Sequence, residues 1–111
     1  MKVYIAGPIN GIPNGNREAF ALRAKELVAL GYEPLNPWDI GPEHGNVVCC
    51  GGPVDDDGGL NHQYGCYLRA DIITFLQQCD AISLLDGWRR SKGATVEESV
   101  ARAVGLKFIE V

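Results

Sequence analysis

The sequence predicts an α/β protein: a small, doubly wound, mainly parallel sheet of four or five strands with helices on both faces. Two observations predict this class. Short apolar runs alternate with segments of helical periodicity, in the order strand, helix, strand, loop, helix, strand, helix, strand. Right-handed crossovers then place the helices on both faces, as in flavodoxin-like and Rossmann-like sheets. The length of 111 residues suits one hydrophobic core, so residues 1–111 form a single predicted domain.

Each predicted strand is a short apolar run that stops at turn residues, and each predicted helix repeats apolar residues three or four positions apart. The strands are Lys2–Ala6, Tyr32–Leu35, Ala81–Leu85 and Lys107–Val111. The helices run from Asn14 or Asn16, either of which can be the N-cap, to about Leu30, then over Tyr64–Gln78 and Gly93–Val104. The buried stripes are predicted to be Phe20, Ala24, Leu27 and Val28, and then Tyr64, Leu68, Ile72, Phe75, Leu76 and Cys79.

Residues 39–63 are rich in Gly and Asp and lack hydrophobic periodicity. A loop this long is uncommon in a small domain, and two interpretations stay open: a lid over a functional site, or a plain mobile loop. Five potential metal ligands lie in or beside it: His44, Cys49, Cys50, His62 and Cys66. Their spacing matches no standard structural zinc pattern, so we expect no metal. The Gly7-x-x-x-Gly11 pattern is neither a dinucleotide fingerprint nor a P-loop, so we expect no cofactor.

The composition narrows the classes of partner. The formal net charge is -4, which disfavours binding to a nucleic-acid polymer or an anionic membrane. The one tight basic group is Arg89, Arg90 and Lys92, enough for a ligand with one or two phosphates. No apolar run reaches ~18 residues, no signal peptide precedes the first strand, and the four cysteines form no C-x-x-C pair. We therefore expect a cytoplasmic protein.

The predicted topology places the candidate site. Ligands of such sheets bind outside the carboxyl ends of the strands, where the strand order switches. The loops after the first and third strands, Gly7–Gly11 and Asp86–Lys92, are therefore expected to meet there. The second loop leads into the helix that carries Glu97. At the start of that helix Ser91 and Gly93 could bind an anion, or Ser91 could simply be the N-cap.

Glu97 and Glu98 are adjacent, but a helix points them in different directions. The positions three and four residues from Glu97 are Gly93, Ala94, Val100 and Ala101, all small or apolar. Glu97 therefore faces a packed or concave surface, where desolvation raises a carboxyl pKa. It is either an active-site carboxylate or a first-turn residue that merely favours the helix dipole. Glu98 has Arg102 four residues on, and we expect an exposed ion pair.

Asp71 and Tyr4 also lie in predicted apolar surroundings. The helical neighbours of Asp71 include Tyr67, Leu68 and Phe75, so its carboxyl needs either a partner or a function. A structural role, such as capping or pairing, is the alternative. Tyr4 lies inside the first strand, where its ring could serve packing alone or could bring its hydroxyl to the site.

Taken together, four stretches resemble the nucleoside 2-deoxyribosyltransferase family, and more narrowly its small, often phage-borne members and the deoxynucleoside 5′-monophosphate N-glycosidases. They are Tyr4–Ile9, the stretch that begins at Asp71, Phe75–Ile82, and the pattern Ser91-x-Gly93-Ala94-x-x-Glu97-x-x-x-Ala101. The resemblance covers nearly the whole chain outside residues 39–63.

The resemblance implies a role for each matching residue. Glu97 corresponds to the nucleophile that attacks C1′ of the sugar, Asp71 to the acid that assists the leaving base, and Tyr4 to a residue that positions the nucleophile. Ser91 stands where the monophosphate-specific members bind phosphate with a serine. The residues implied to bind substrate or phosphate are Gly7, Pro8, Ile9, Asn10, Gly11, Asp86, Gly87, Trp88, Ser91, Gly93 and Ala94.

Three functional hypotheses follow. The first is an enzyme, a nucleotide N-glycosidase or deoxyribosyltransferase with a retaining mechanism, and its chemistry requires no cofactor. The second is a non-catalytic module of the same fold that binds a nucleotide-derived ligand. The third is a phosphoribohydrolase-like or NAD-cleaving relative. The expected partners are a small nucleotide or nucleoside and a second copy of the chain, in a homodimer or larger homo-oligomer.

Overall fold

Four short strands form an all-parallel sheet in the order β2-β1-β3-β4. The computed structural model describes residues 1–9, 11–39 and 64–111, without the side chains of residues 64–67. The strands are β1 (Lys2–Ala6), β2 (Glu33–Leu35), β3 (Ala81–Leu84) and β4 (Lys107–Phe108). The helices are α1 (Arg17–Ala29), α2 (Tyr64–Gln78) and α3 (Lys92–Val104), with short 3-10 turns at Pro13–Asn16, Pro37–Asp39 and Trp88–Arg90. The predicted α/β class and parallel sheet are confirmed.

Alternation along β1 gives the sheet two buried faces. Val3 and Ile5 pack on one face with Phe20 and Leu27 of α1. On the opposite face, Tyr4 and Ala6 pack with apolar residues of α2 and α3, chief among them Phe75 and Ala101. Because all eight of these side chains are buried, β1 is covered on both sides. Helices therefore lie on both faces of the sheet, as predicted.

The strand at the C-terminal edge is shorter than predicted. Its pairing register with β3 covers only Lys107 and Phe108, followed by one further hydrogen bond from the Ile109 N–H to the Ile82 carbonyl at 2.9 Å. The next β3 carbonyl along, that of Leu84, accepts a hydrogen bond from the Arg23 guanidinium at 3.0 Å. An α1 side chain thus takes the place that a longer β4 would fill.

The start of α1 also differs from the prediction. Asn16 occupies the N-cap position, but its φ of 61° is left-handed and its side chain makes no capping bond. Instead its Nδ2 donates to the Pro8 carbonyl at 3.0 Å. Asn14 and Gly15 are left-handed as well. The asparagine therefore ties the loop after β1 to the first turn of α1 and leaves the helix end uncapped.

Left-handed glycines follow α1 and α3, since Gly31 and Gly105 have φ values of 90° and 81°. Two residues assigned to buried stripes are exposed: Val28 is 60% exposed and Leu76 is 41% exposed. Both lie at the border of an apolar stripe, where a helix that packs on a narrow sheet turns away from it. Asp39, the first residue of the predicted lid or mobile loop over 39–63, ends a 3-10 turn, and residues 40–63 lie outside the described residues. The predicted contact of Tyr64, Asn10 and the potential metal ligands His44, Cys49, Cys50, His62 and Cys66 also lie outside the described residues or side chains.

Candidate active site

A cleft of about 770 Å³ lies at the point where the strand order switches. The chain leaves β1 toward β2 on one side and returns to β3 on the other, so the loops after β1 and β3 face each other. These loops line the cleft through Pro8, Ile9, Ile12, Asp86, Gly87, Arg90, Ser91 and Lys92. The two segments that the topology was expected to bring together do meet.

Gly7 allows the two loops to approach closely. A Cβ atom at this position would lie 2.7 Å from the Cβ of Leu85, well inside van der Waals contact. The backbones are joined at the same level, because the Leu85 N–H donates to the Ala6 carbonyl at 2.8 Å. Beyond it, Gly87 adopts a φ of 82° and turns the chain toward α3.

Glu97 lies in the second turn of α3 and is only 5% exposed. Its Oε2 accepts a hydrogen bond of 2.5 Å from the Tyr4 hydroxyl. Around it, Gly93, Ala94 and Ala101 are buried, as the helical spacing predicted. The first-turn dipole interpretation is wrong, because α3 begins at Lys92 and the carboxylate points inward to a tyrosine of the sheet.

Tyr4 connects Glu97 to Asp71. Its ring stacks on Phe75 of α2, with the centroids 4.6 Å apart and the planes inclined by 21°. Asp71, one turn before Phe75 on the same helix, interacts through hydrogen bonding with the Tyr4 hydroxyl and electrostatically with Glu97. Three separate elements, α2, β1 and α3, therefore bring Asp71, Tyr4 and Glu97 together. We call these three residues the carboxyl–tyrosine cluster.

The cluster holds its two carboxyl groups in different states. Burial, reinforced by the nearby charge of Glu97, raises the pKa of Asp71 to about 9. Burial also raises the pKa of Glu97 to about 7, and the hydrogen bond from Tyr4 works in the opposite direction. Burial raises the pKa of the Tyr4 hydroxyl well above its ordinary range, so this group stays protonated. Near neutral pH, Asp71 is a neutral acid and Glu97 titrates.

Ser91 is the N-cap of α3. Its Oγ accepts a hydrogen bond from the Ala94 N–H at 3.1 Å, and its backbone is extended. The capping alternative is therefore confirmed. The same hydroxyl still has a proton to donate, and Ser91 lines the cleft. Glu97 comes six positions after Ser91, a rise of about 9 Å along α3.

The predicted site residues separate into two groups. Pro8, Ile9, Asp86, Gly87 and Ser91 line the cleft, whereas no member of the carboxyl–tyrosine cluster is among the lining residues: Tyr4 and Glu97 are buried and Asp71 is half-buried. The remaining described residues do not line the cleft either: Gly7, Gly93 and Ala94 are buried, Trp88 is half-buried under Arg89, and Gly11 is exposed.

Three cleft residues were not predicted individually: Ile12, Arg90 and Lys92. The basic group was visible in the sequence, but nothing in its pattern showed which of its members turn toward the cleft. The expected exposed pair is partly wrong. Glu98 does bind Arg102, through bonds of 2.7 and 2.6 Å, but Glu98 is itself only 9% exposed, while the Arg102 guanidinium lies over the Phe108 ring of β4.

The described ranges show no group of three or more His, Cys, Asp or Glu side chains that could hold a metal ion. Within the same ranges, no helix combines the length and apolar character needed to cross a bilayer. The described cysteine, Cys79, is a buried free thiol whose pKa burial raises to about 11.

Comparison with known families gives one match. The profile of the family described as a domain of unknown function, DUF4406, matches residues 1–110, and the chain therefore belongs to that family. Neither the curated proteins nor the solved structures contain a match. The description of the family names no activity, so a function has to be argued from the cleft and the carboxyl–tyrosine cluster.

Proposed function

We propose that this member of the family is an enzyme that breaks the N-glycosidic bond of a nucleotide or nucleoside, with Glu97 as nucleophile. The observation that carries the proposal is the carboxyl–tyrosine cluster, in which two carboxyl groups flank one tyrosine hydroxyl and Glu97 lies on the helix that the cleft residue Ser91 caps. Removing carboxyl groups from water costs free energy. Carboxyl groups with strongly shifted pKa values are therefore concentrated at functional sites. The resemblance to nucleoside 2-deoxyribosyltransferases supports the same three residues.

Glu97 has the properties of a nucleophile toward C1′. Departure of the base leaves oxocarbenium character on C1′, which a nearby carboxylate stabilises and then bonds to. The Tyr4 hydroxyl donates to Oε2 and fixes the orientation of the carboxylate, leaving Oε1 without a hydrogen bond from the described residues. The C1′–N bond breaks, a C1′–O bond to Glu97 forms, and the bonding electrons leave with the base.

Asp71 has the properties of the acid. Because its pKa is raised to about 9, it carries a proton at neutral pH that can pass to the departing base. Water or a second base then attacks C1′, the C1′–O bond breaks, and Glu97 is released. Where water attacks, its proton passes to the Asp71 carboxylate, and the product is the free sugar, which keeps its 5′-phosphate when the substrate is a nucleotide. Where a base attacks, the result is transfer.

The cleft supplies a place for the rest of the substrate. Ile9 and Ile12 offer an apolar wall to the sugar and base, while Ser91 can donate to a hydroxyl or phosphate at the 5′ position. The family resemblance also implies a second copy of the chain, so we expect a homodimer or larger homo-oligomer. Sedimentation velocity at micromolar protein concentration would show whether the chain is instead a monomer.

The direct test is to incubate the protein with a panel of 5′-nucleotides and nucleosides and to measure released base by chromatography. We expect release from at least one 2′-deoxy substrate, lost in Glu97→Ala. Addition of a second free base distinguishes transfer, which yields a new nucleoside or nucleotide, from hydrolysis. Tight binding of a nucleotide without any release would instead favour the non-catalytic binding module, and unchanged activity in Glu97→Ala would overturn the nucleophile assignment.

A further inference from the structure

The cleft carries a local excess of positive charge in an acidic protein. Arg90 and Lys92 line it on either side of Ser91, and Asp86 is the one carboxylate among the described lining residues. Both cationic side chains are exposed, and neither forms an ion pair with any residue of the described ranges. The whole chain has a formal net charge of -4, so the positive charge of Arg90 and Lys92 is a local feature of the cleft.

The remaining walls define the shape of a ligand that would use this charge. Pro8, Ile9 and Ile12, from the loop after β1, form the apolar side opposite the cationic residues. The volume of about 770 Å³ is in the range of small-molecule sites. A molecule with an apolar body and one anionic end would therefore match both walls. A phosphate monoester carries a charge of about -1.5 to -2 at neutral pH, comparable to the two cations.

The position of the cations relative to Glu97 suits such a molecule. Lys92 is the first residue of α3 and Arg90 ends the 3-10 turn just before it, and Glu97 lies about 7.5 Å further along the helix than Lys92. A phosphate held at the cationic wall would leave the sugar and its glycosidic carbon on the side of the carboxylate. Arg and Lys are suited to this task because both donate charge-assisted hydrogen bonds to phosphate oxygens.

We infer that Arg90 and Lys92 are specificity-determining residues that select substrates with a 5′-phosphate over free nucleosides. This inference rests on the proposed function, since it names the substrate class of the same site. The cationic pair acts on the phosphate alone, so it governs the preference between a nucleotide and its nucleoside and leaves the choice of base to the apolar wall.

The test compares kcat/KM for each 2′-deoxynucleoside 5′-monophosphate with that for the matching nucleoside. We expect the wild-type protein to prefer the monophosphate, and the double variant Arg90→Gln/Lys92→Gln to lose about tenfold or more of that preference. The preference should also fall as salt is added, because exposed cations are screened. Arg89→Gln is the matched control: Arg89 belongs to the same loop but lies over the Trp88 ring, away from the lining residues, and its removal should keep the preference within about twofold.

Binding separates this inference from the proposed function. Calorimetric titration of Glu97→Gln with the same monophosphates and nucleosides measures selection without turnover. Selective binding of a monophosphate that the double variant abolishes would support the inference even if no base were ever released. An unchanged preference in the double variant, or equal binding of nucleotide and nucleoside by the wild-type protein, would overturn the inference. Base release from either substrate would still support the proposed enzymatic function in that case.

Discussion

At the scale of single residues, the Tyr4 hydroxyl has one proton and two carboxyl neighbours. That proton is donated to Glu97 at 2.5 Å. Asp71 lies near the same hydroxyl, and burial together with the charge of Glu97 raises its pKa to about 9, so it keeps its own proton near neutral pH. The two carboxyl groups beside Tyr4 therefore differ: Asp71 is an acid and Glu97 is a base.

This arrangement predicts a bell-shaped dependence of kcat/KM on pH. Activity should rise through about pH 7 as Glu97 ionises and fall through about pH 9 as Asp71 loses its proton. The two apparent values belong to the coupled pair. Removing the hydroxyl in Tyr4→Phe takes away the hydrogen bond that lowers the pKa of Glu97, so the acidic limb should move to higher pH. Steady-state rates from pH 5 to 10 measure the wild-type profile and the shift in Tyr4→Phe. A wild-type profile that is flat over this range would contradict the roles of Glu97 as base and Asp71 as acid.

The same burial predicts a stability effect at Asp71. A carboxyl whose folded-state pKa is raised stabilises the protein fully below its unfolded pKa of 3.8, and that contribution is lost as the pH rises through about 9. Asp71→Asn keeps the shape of the side chain and removes its charge. Between pH 5 and pH 8 the wild-type protein should therefore lose more than about 1 kcal/mol relative to Asp71→Asn, a difference of about 4 °C in Tm.

Thermal unfolding followed by circular dichroism at the two pH values measures this difference. Asp80→Asn is the control, because Asp80 is an exposed carboxylate at the other end of the sheet and should follow the wild-type protein. Parallel changes of Tm in Asp71→Asn and the wild-type protein would show that Asp71 is ionised in the folded state.

At the scale of elements, the first two turns of α3 and its N-cap combine a structural role with candidate functional roles. Ser91 caps the helix and lines the cleft, and Glu97 follows in the second turn. Helical spacing was enough to predict that Glu97 faces inward, because its neighbours on the helix are local in sequence. Spacing could not predict that Glu98 is also buried, since burial depends on how α3 packs in the folded molecule.

Ser91→Ala and Ser91→Asp separate the two roles of the cap. Both Ser and Asp accept the hydrogen bond of the Ala94 N–H, so Ser91→Asp should keep the stability of the wild-type protein, whereas Ser91→Ala should lose about 1 kcal/mol. The aspartate adds a negative charge to the cleft and should lower kcat/KM for a 5′-monophosphate more than for its nucleoside. Urea unfolding and the two rate measurements check this. Equal losses for both substrates in Ser91→Asp would limit Ser91 to capping.

At the scale of the whole molecule, a doubly wound sheet explains why residues far apart in the chain form one site. The fold class, the parallel sheet and the meeting of the two loops could be predicted, because they follow from element order and from general rules of crossover connection. Contact between Asp71, Tyr4 and Glu97 could not be predicted from local pattern, since it depends on how α2 and α3 pack over β1. The resemblance to a known family singled out those residues, and packing explains their contact.

The length of the last strand, at the edge of the sheet, could not be predicted from the sequence either. Apolar residues continue to Val111, which suggested a five-residue last strand, yet pairing stops at Phe108. The reason is tertiary: Arg23, from a helix on one face of the sheet, binds the Leu84 carbonyl and the Ser83 hydroxyl. A residue that no motif singled out therefore decides where the sheet ends.

The central claim is that Glu97 is the nucleophile of an N-glycosidic-bond enzyme, and its adjacent residue supplies a matched control. Glu97→Gln and Glu98→Gln change the same functional group one position apart, but only Glu97 contacts Tyr4. The measurement is the initial rate of base release from a 2′-deoxynucleoside 5′-monophosphate at pH 8. We predict that Glu97→Gln lowers the rate by a factor of about 1,000 or more and that Glu98→Gln stays within about tenfold of the wild-type protein. Equal rates for the two variants would contradict the account.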